Sequence, residues 1–161
     1  MSKLRIGTGF DIHRLVPDRE LRIGGIHIPF ELGLEGHSDG DALIHAVIDA
    51  LLGAASLGDI GIFFPSSEAA IKNIKSPVML AKVLELLTSK GYKVVNVDTV
   101  VICEKPQLSG HYPAIKQSLA DLLKIDLDCV SVKAKTMEKL GDIGAGKAIA
   151  AQAVALLELL P

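Results

Sequence analysis

Residues 76–104, SPVMLAKVLELLTSKGYKVVNVDTVVICE, contain the change of hydrophobic period on which the fold turns. Ser76-Pro77 puts proline in a helix's first turn, where its missing N–H costs nothing, and Gly91 supplies the stop. From Lys93 to Glu104 the β-branched run predicts a strand. Working outward, residues 113–124 read as a helix, 129–136 as a strand, and about 146–160 as a closing helix. Upstream, residues 39–56 carry a helical pattern, with Ser38 as N-cap and Asp41 three residues on in a capping-box arrangement. Leu21-Arg22-Ile23 and Ile26-His27-Ile28 flank Gly24-Gly25 as a hairpin about a two-residue turn. Residues 3–10 predict a strand running into Gly7-Thr8-Gly9. Early hairpin strands followed by helix–strand alternation predict an α+β fold: a mixed β-sheet with helices packed on one face, plus a small β-hairpin.

At 161 residues the chain is expected to form one domain over its whole length. Its residues are 49% hydrophobic but only 4% aromatic, with no Trp, so the core is built from Ala, Val, Ile and Leu. A domain of this size buries only about 70% of its unfolded surface, so part of that aliphatic excess reaches the outside and hints at oligomerisation. Net charge is −2 and the pI is near 6.2, which argues against a nucleic-acid partner. The N-terminus MSKLRIGTGFDIH lacks the apolar core of a signal peptide. Ala42 to Leu57, interrupted by His45 and Asp49, falls short of the ~20 apolar residues of a membrane span. The expectation is a cytoplasmic protein with no membrane partner, in which Cys103 and Cys129 are reduced, buried thiols.

Gly7-Thr8-Gly9-Phe10-Asp11-Ile12-His13 invites a dinucleotide reading, but that fingerprint needs a third glycine where Ile12 stands and a helix directly after. What remains is Asp11-x-His13, a spacing that puts both side chains on one face of a continuing strand. Asp41, His45 and Asp49 recur every four residues and form one stripe along a helix flanked by Leu43, Ile44, Val47 and Ile48. Asp11, His13 and His45 supply three zinc ligands with the fourth tetrahedral position open, as in catalytic sites. Asp49 then stands one turn beyond His45, where it could hold that imidazole's other N–H. Singly, each of these residues is more often a turn cap or a hydrogen-bonded core histidine; together the two in-phase pairs favour a metal.

Around Lys133-Ala134-Lys135-Thr136-Met137-Glu138, strand alternation turns Val130, Val132 and Ala134 one way and Ser131, Lys133 and Lys135 the other. Thr136 and Glu138 fall at the strand end, where a hydroxyl, lysines and a carboxylate suit a phosphate and a hard cation such as Mg²⁺. An exposed turn with ordinary charges is the plain alternative.

Taken together, GTGFDIHRL, the hairpin, GHSDGDALIHAVIDALLGAASLGDIG, FFP, NVDTVVICEKP and VKAKTMEKLG resemble the 2-C-methyl-D-erythritol 2,4-cyclodiphosphate synthase family nearly end to end. The resemblance implies a homotrimer with active sites between subunits. The implied substrate is a cytidine diphosphate derivative, 4-diphosphocytidyl-2-C-methyl-D-erythritol 2-phosphate, whose 2-phosphate attacks the β-phosphorus and releases CMP. It implies zinc on Asp11, His13 and His45, and Mg²⁺ or Mn²⁺ on Glu138. His37 and Thr136 match residues that position phosphate and stabilise the transition state. Ser38 and Asp59-Ile60-Gly61 match substrate-lining segments, and Cys103 to Ser109, with Pro106 among them, match the cytidine pocket. Phe64, Ser66, Glu68, Lys135 and Asp142 fall in the remaining segments taken to face substrate, and Asp41 and Asp49 in supporting positions.

The chain departs from the family's usual pattern in three places. Ser66-Ser67-Glu68-Ala69 replaces Asp-Thr-Asp-Pro, where an acidic residue contacts the erythritol diol. Lys135 replaces a threonine, adding positive charge beside the phosphate site. Ala145 stands where the family's arginine faces a central trimer cavity, with Lys147 two residues on. Two other classes compete: a zinc hydrolase using Asp41 or Asp59 as base, and a non-catalytic binding module for nucleotides or isoprenoid diphosphates.

Overall fold

The computed structural model describes residues 3–65, 67 and 73–160. Ser66 and Glu68, expected to face substrate, lie outside the described residues. Strand β1 (Leu4–Val16) is longer than its apolar pattern predicts and carries Asp11 and His13 within it. Strands β2 (Leu21–Ile23) and β3 (Ile26–Ile28) pair as the expected hairpin, with Gly24 and Gly25 at φ 64° and 84° in its turn. These left-handed values are open to glycine without the Cβ penalty. After the short β4 (Gly33–Leu34) come α1 (Ala42–Ala54), α2 (Ile60–Phe63) and α3 (Ser76–Ser89). Next are β5 (Tyr92–Ile102), α4 (Tyr112–Leu123), β6 (Val130–Lys135), α5 (Gly141–Gly144) and β7 (Ala148–Leu159).

The closing helix expected from about 146 to 160 is instead β7, the central strand of a five-stranded sheet ordered β4-β1-β7-β5-β6. Its Ala, Leu and Glu content favours a helix, but propensity is a weak prior that tertiary context overrides. Here β7 is antiparallel to β1 on one edge and to β5 on the other, so both rows of its backbone groups are paired. The strand period was present in the residues: Ile149, Ala151, Ala153, Ala155 and Leu157 are buried, while Gln152 and Val154 are exposed. Among the described residues only β5 and β6 run parallel, joined through α4.

The small side chains of β1 and β7 let α1 lie close against the sheet. A Cβ placed on Gly9 would stand 2.0 Å from the Ala46 carbonyl oxygen, and one on Gly7 2.1 Å from that of Ala50. The Gly7-x-Gly9 pair thus serves helix–strand contact rather than a pyrophosphate. The apolar core lies between the helices and this sheet face, centred on Ile44, Ile48, Leu51, Leu80, Leu87, Val97, Val101 and Ile115. Among the described residues no helix is long and apolar enough to cross a membrane.

The N-cap of α1 is Asp41, not Ser38. The Asp41 carboxylate accepts Ile44 N–H at 3.0 Å and, from the hairpin turn, Gly24 N–H at 2.9 Å and Gly25 N–H at 2.7 Å. Ser38 is three residues too early; its hydroxyl accepts Gly40 N–H at 3.2 Å.

Candidate metal centre

Three side chains far apart in sequence converge at the N-terminal end of α1. Asp11 and His13 project from β1 on the side that Gly7 and Gly9 open to α1, and His45 sits in the first turn of that helix. Asp11 Oδ2, His13 Nε2 and His45 Nδ1 form a triangle with edges of 2.8, 2.9 and 3.2 Å. Ligand atoms bonded to one tetrahedral zinc ion at 2.0–2.1 Å stand about 3.3 Å apart, close to these spacings. Two imidazoles and a carboxylate are a donor set for a transition metal rather than for Mg²⁺ or Ca²⁺.

The nitrogens that face away from this triangle are already engaged. His13 Nδ1 bonds the carbonyl oxygen of Glu35. His45 Nε2 lies 2.9 Å from Ser76 Oγ and 3.1 Å from Ser38 Oγ. Holding the outer nitrogen sets which ring nitrogen offers its lone pair. Burial by itself would raise the Asp11 carboxyl, yet hydrogen bonds from His13 and His45 outweigh it and hold it well below the usual carboxylate range. Burial would lower His13, but its bond to Asp11 prevails and holds the imidazole above its ordinary value. A metal ion entering the triad therefore displaces the proton that His13 holds against Asp11.

Asp49 does not hold His45 as its spacing suggested. Its Oδ1 accepts Ile60 N–H at 2.7 Å and anchors α2, whose own N-cap is Asp59. Asp41 caps α1 and pins the hairpin. The stripe along α1 thus splits into three roles, because each residue meets a different segment. Ser76, Glu35 and Arg19 carried no motif signal. Arg19 bonds the carbonyls of Gly36 and Ser38 at 3.2 and 2.7 Å and steadies the loop that presents the exposed His37.

A second cluster lies at the far edge of the sheet. Thr136 Oγ1 donates to Glu138 Oε1 at 2.7 Å, just beyond β6. A pocket of about 590 Å³ beside them is lined by Cys103 to Ser109, Phe30, Tyr112, Lys135 and Thr136. Cys103 is buried, and burial with the neighbouring Glu104 pushes its thiol up to about 11. Among the described residues, one Glu104 carboxylate oxygen is buried without a hydrogen-bond partner. Asp142 Oδ1 accepts from Lys147 at 3.3 Å. Within one chain this cluster does not meet the triad. Strands β7 and β5 separate β1 from β6, and three inter-strand steps amount to about 14 Å.

The YgbB family model matches residues 4–158. A 2-C-methyl-D-erythritol 2,4-cyclodiphosphate synthase from Gloeobacter violaceus is 54% identical over 97% of this chain and 96% of its own. One from Neisseria gonorrhoeae is 52% identical over 98% of each. The solved IspF–CDP complex of Plasmodium falciparum superposes with a TM-score of 0.87 at 36% identity, covering 100% of this chain and 99% of that one.

Proposed function

Because the chain belongs to the YgbB family, we propose that it is a 2-C-methyl-D-erythritol 2,4-cyclodiphosphate synthase, a lyase of isoprenoid precursor formation. Half-identical relatives bearing that name support this, as does the preoriented triad. The substrate is 4-diphosphocytidyl-2-C-methyl-D-erythritol 2-phosphate. An oxygen of its 2-phosphate bonds the β-phosphorus, the bond to the bridging oxygen breaks, and CMP leaves with that oxygen.

Asp11, His13 and His45 hold zinc, and Glu138, beside Thr136, holds Mg²⁺ or Mn²⁺. These cations supply Lewis-acid neutralisation of the phosphates. Nucleophile and electrophile belong to one molecule, so the protein's work is to fold the substrate and offset charge between its phosphates. The chain's net charge of −2 makes local positive charge necessary, and Lys135 on the pocket wall adds to it. His37 and Thr136 orient phosphate. Ser38, Asp59, Ile60, Gly61, Phe64 and Asp142 line the substrate path, with Ser66 and Glu68 assigned there by resemblance alone. The pocket from Cys103 to Ser109 takes the cytidine, in keeping with the CDP held by the Plasmodium relative.

The distance between the two clusters supports active sites completed by a neighbouring subunit of a homotrimer. So does the sheet face turned away from the helices, where Ile6, Phe10, Ile12 and Val154 are 73, 55, 48 and 36% exposed. One such domain spans residues 1–161 and works in the cytoplasm. The deciding experiment supplies the diphosphocytidyl substrate and identifies products by mass. Cyclic diphosphate with CMP is expected; linear methylerythritol phosphates would indicate a hydrolase and overturn the reading.

A further inference from the structure

His45 owes its orientation to residues outside the triad. Its Nε2 lies 2.9 Å from Ser76 Oγ, at the start of α3. The Ser76 hydroxyl donates to Asp39 Oδ1, and its backbone N–H donates to Asp39 Oδ2 at 3.0 Å. Ser76 is fully buried, so water does not complete its hydrogen bonding.

The proton directions follow from the partners. A hydroxyl has one proton, and an ionised carboxylate only accepts. The Ser76 proton therefore points to Asp39, which leaves a lone pair on Ser76 Oγ facing His45. An acceptor facing Nε2 favours the tautomer that carries the ring proton there, which frees Nδ1 for a metal ion in place of its 2.9 Å hydrogen bond to Asp11 Oδ2; Ser38 Oγ lies 3.1 Å from the same Nε2.

We propose that Ser76, anchored by Asp39, is a positioning residue that fixes the Nε2–H tautomer of His45 and so presents Nδ1 as a metal ligand. This rests on reading Asp11, His13 and His45 as a metal site. The carboxylate that commonly supports a metal-bound histidine is here set one hydroxyl further out. The relay also joins α1, α3 and the 37–41 loop, so ion binding and the seating of that loop are coupled.

The test is the zinc affinity of the full-length protein, measured at neutral pH against a chromogenic chelator, for wild type, S76A, D39N and H45A. S76A keeps the backbone bond from position 76 to Asp39 and removes only the hydroxyl. In D39N one amide oxygen must replace two carboxylate acceptors, and the amide N–H₂ turns the Ser76 hydroxyl toward His45. Both variants are expected to bind zinc about 10–100-fold more weakly, while the loss of one buried hydroxyl lowers the metal-free stability of S76A and leaves it folded. Nitrogen-15 NMR of the zinc-loaded wild type should find the His45 proton on Nε2. If S76A does not fold, D39N carries the affinity test. Affinity within about twofold of wild type in the folded variants, or a His45 proton on Nδ1, overturns the relay. Wild type that takes up no zinc, or H45A that retains it equally, overturns the metal reading beneath it.

Discussion

His45, Asp41 and Asp49 share one face of α1 and do three different things. Periodicity revealed the shared face, but the partners come from β1, the hairpin turn and α2, which no spacing within residues 37–56 encodes. For His45 the consequence of the proposed zinc site is direct: H45A would remove one of its three proposed ligands and should leave the purified protein without zinc by elemental analysis. Cys103 offers a prediction independent of the metal. Burial lifts its thiol from 9.0 to about 11, so the folded state holds this proton more tightly than the unfolded chain. The stabilisation is complete below pH 9 and is lost as pH rises toward 11. Denaturant titrations should show unfolding free energy falling across that interval in wild type, and falling less in C103A.

Among the elements, the hairpin, α3, β5, α4 and β6 match their sequence expectations, because each carries its own stop, cap or period. The segment 148–159 does not, since its alanines and leucines satisfy a helix locally and a central strand globally. What decides is the supply of partners: β1 and β5 leave a gap one strand wide, and α1 needs small residues beneath it. The same closeness predicts that G9A is severe. Its Cβ would stand 2.0 Å from Ala46 O and 2.7 Å from Ala50 N, both backbone atoms. The helix must retreat, at a cost of about 3 kcal/mol or more, and His45 moves with it. Chemical denaturation should show the loss of stability, and zinc binding should weaken in parallel. D41A strips three N–H donors of their acceptor at once, so it should cost more than the ~1 kcal/mol of an ordinary N-cap.

For the molecule as a whole, the proposed trimer accounts for the scarcity of aromatics together with the apolar sheet face left open by one chain. Sedimentation should give a mass near three chains. F10D places a charge on that face at a position 55% exposed in the single chain, so it should dissociate the assembly and abolish turnover while leaving the protomer folded. Zinc removal should also be legible at this scale. Saturating metal at a hundred times its dissociation constant stabilises by about 2.7 kcal/mol, so a chelator should lower the melting temperature by about 5–10 °C for a chain of this size. By itself the sequence determined the family, the donor types and the periodic elements, since these are written in local order and spacing. Tertiary structure alone decided that 148–159 is a strand, that Asp41 rather than Ser38 caps α1, that Ser38 and Ser76 rather than Asp49 hold His45, and that the triad and Glu138 stand strands apart. Each of those outcomes depends on a partner distant in sequence, and local pattern carries no record of which distant segment will supply it.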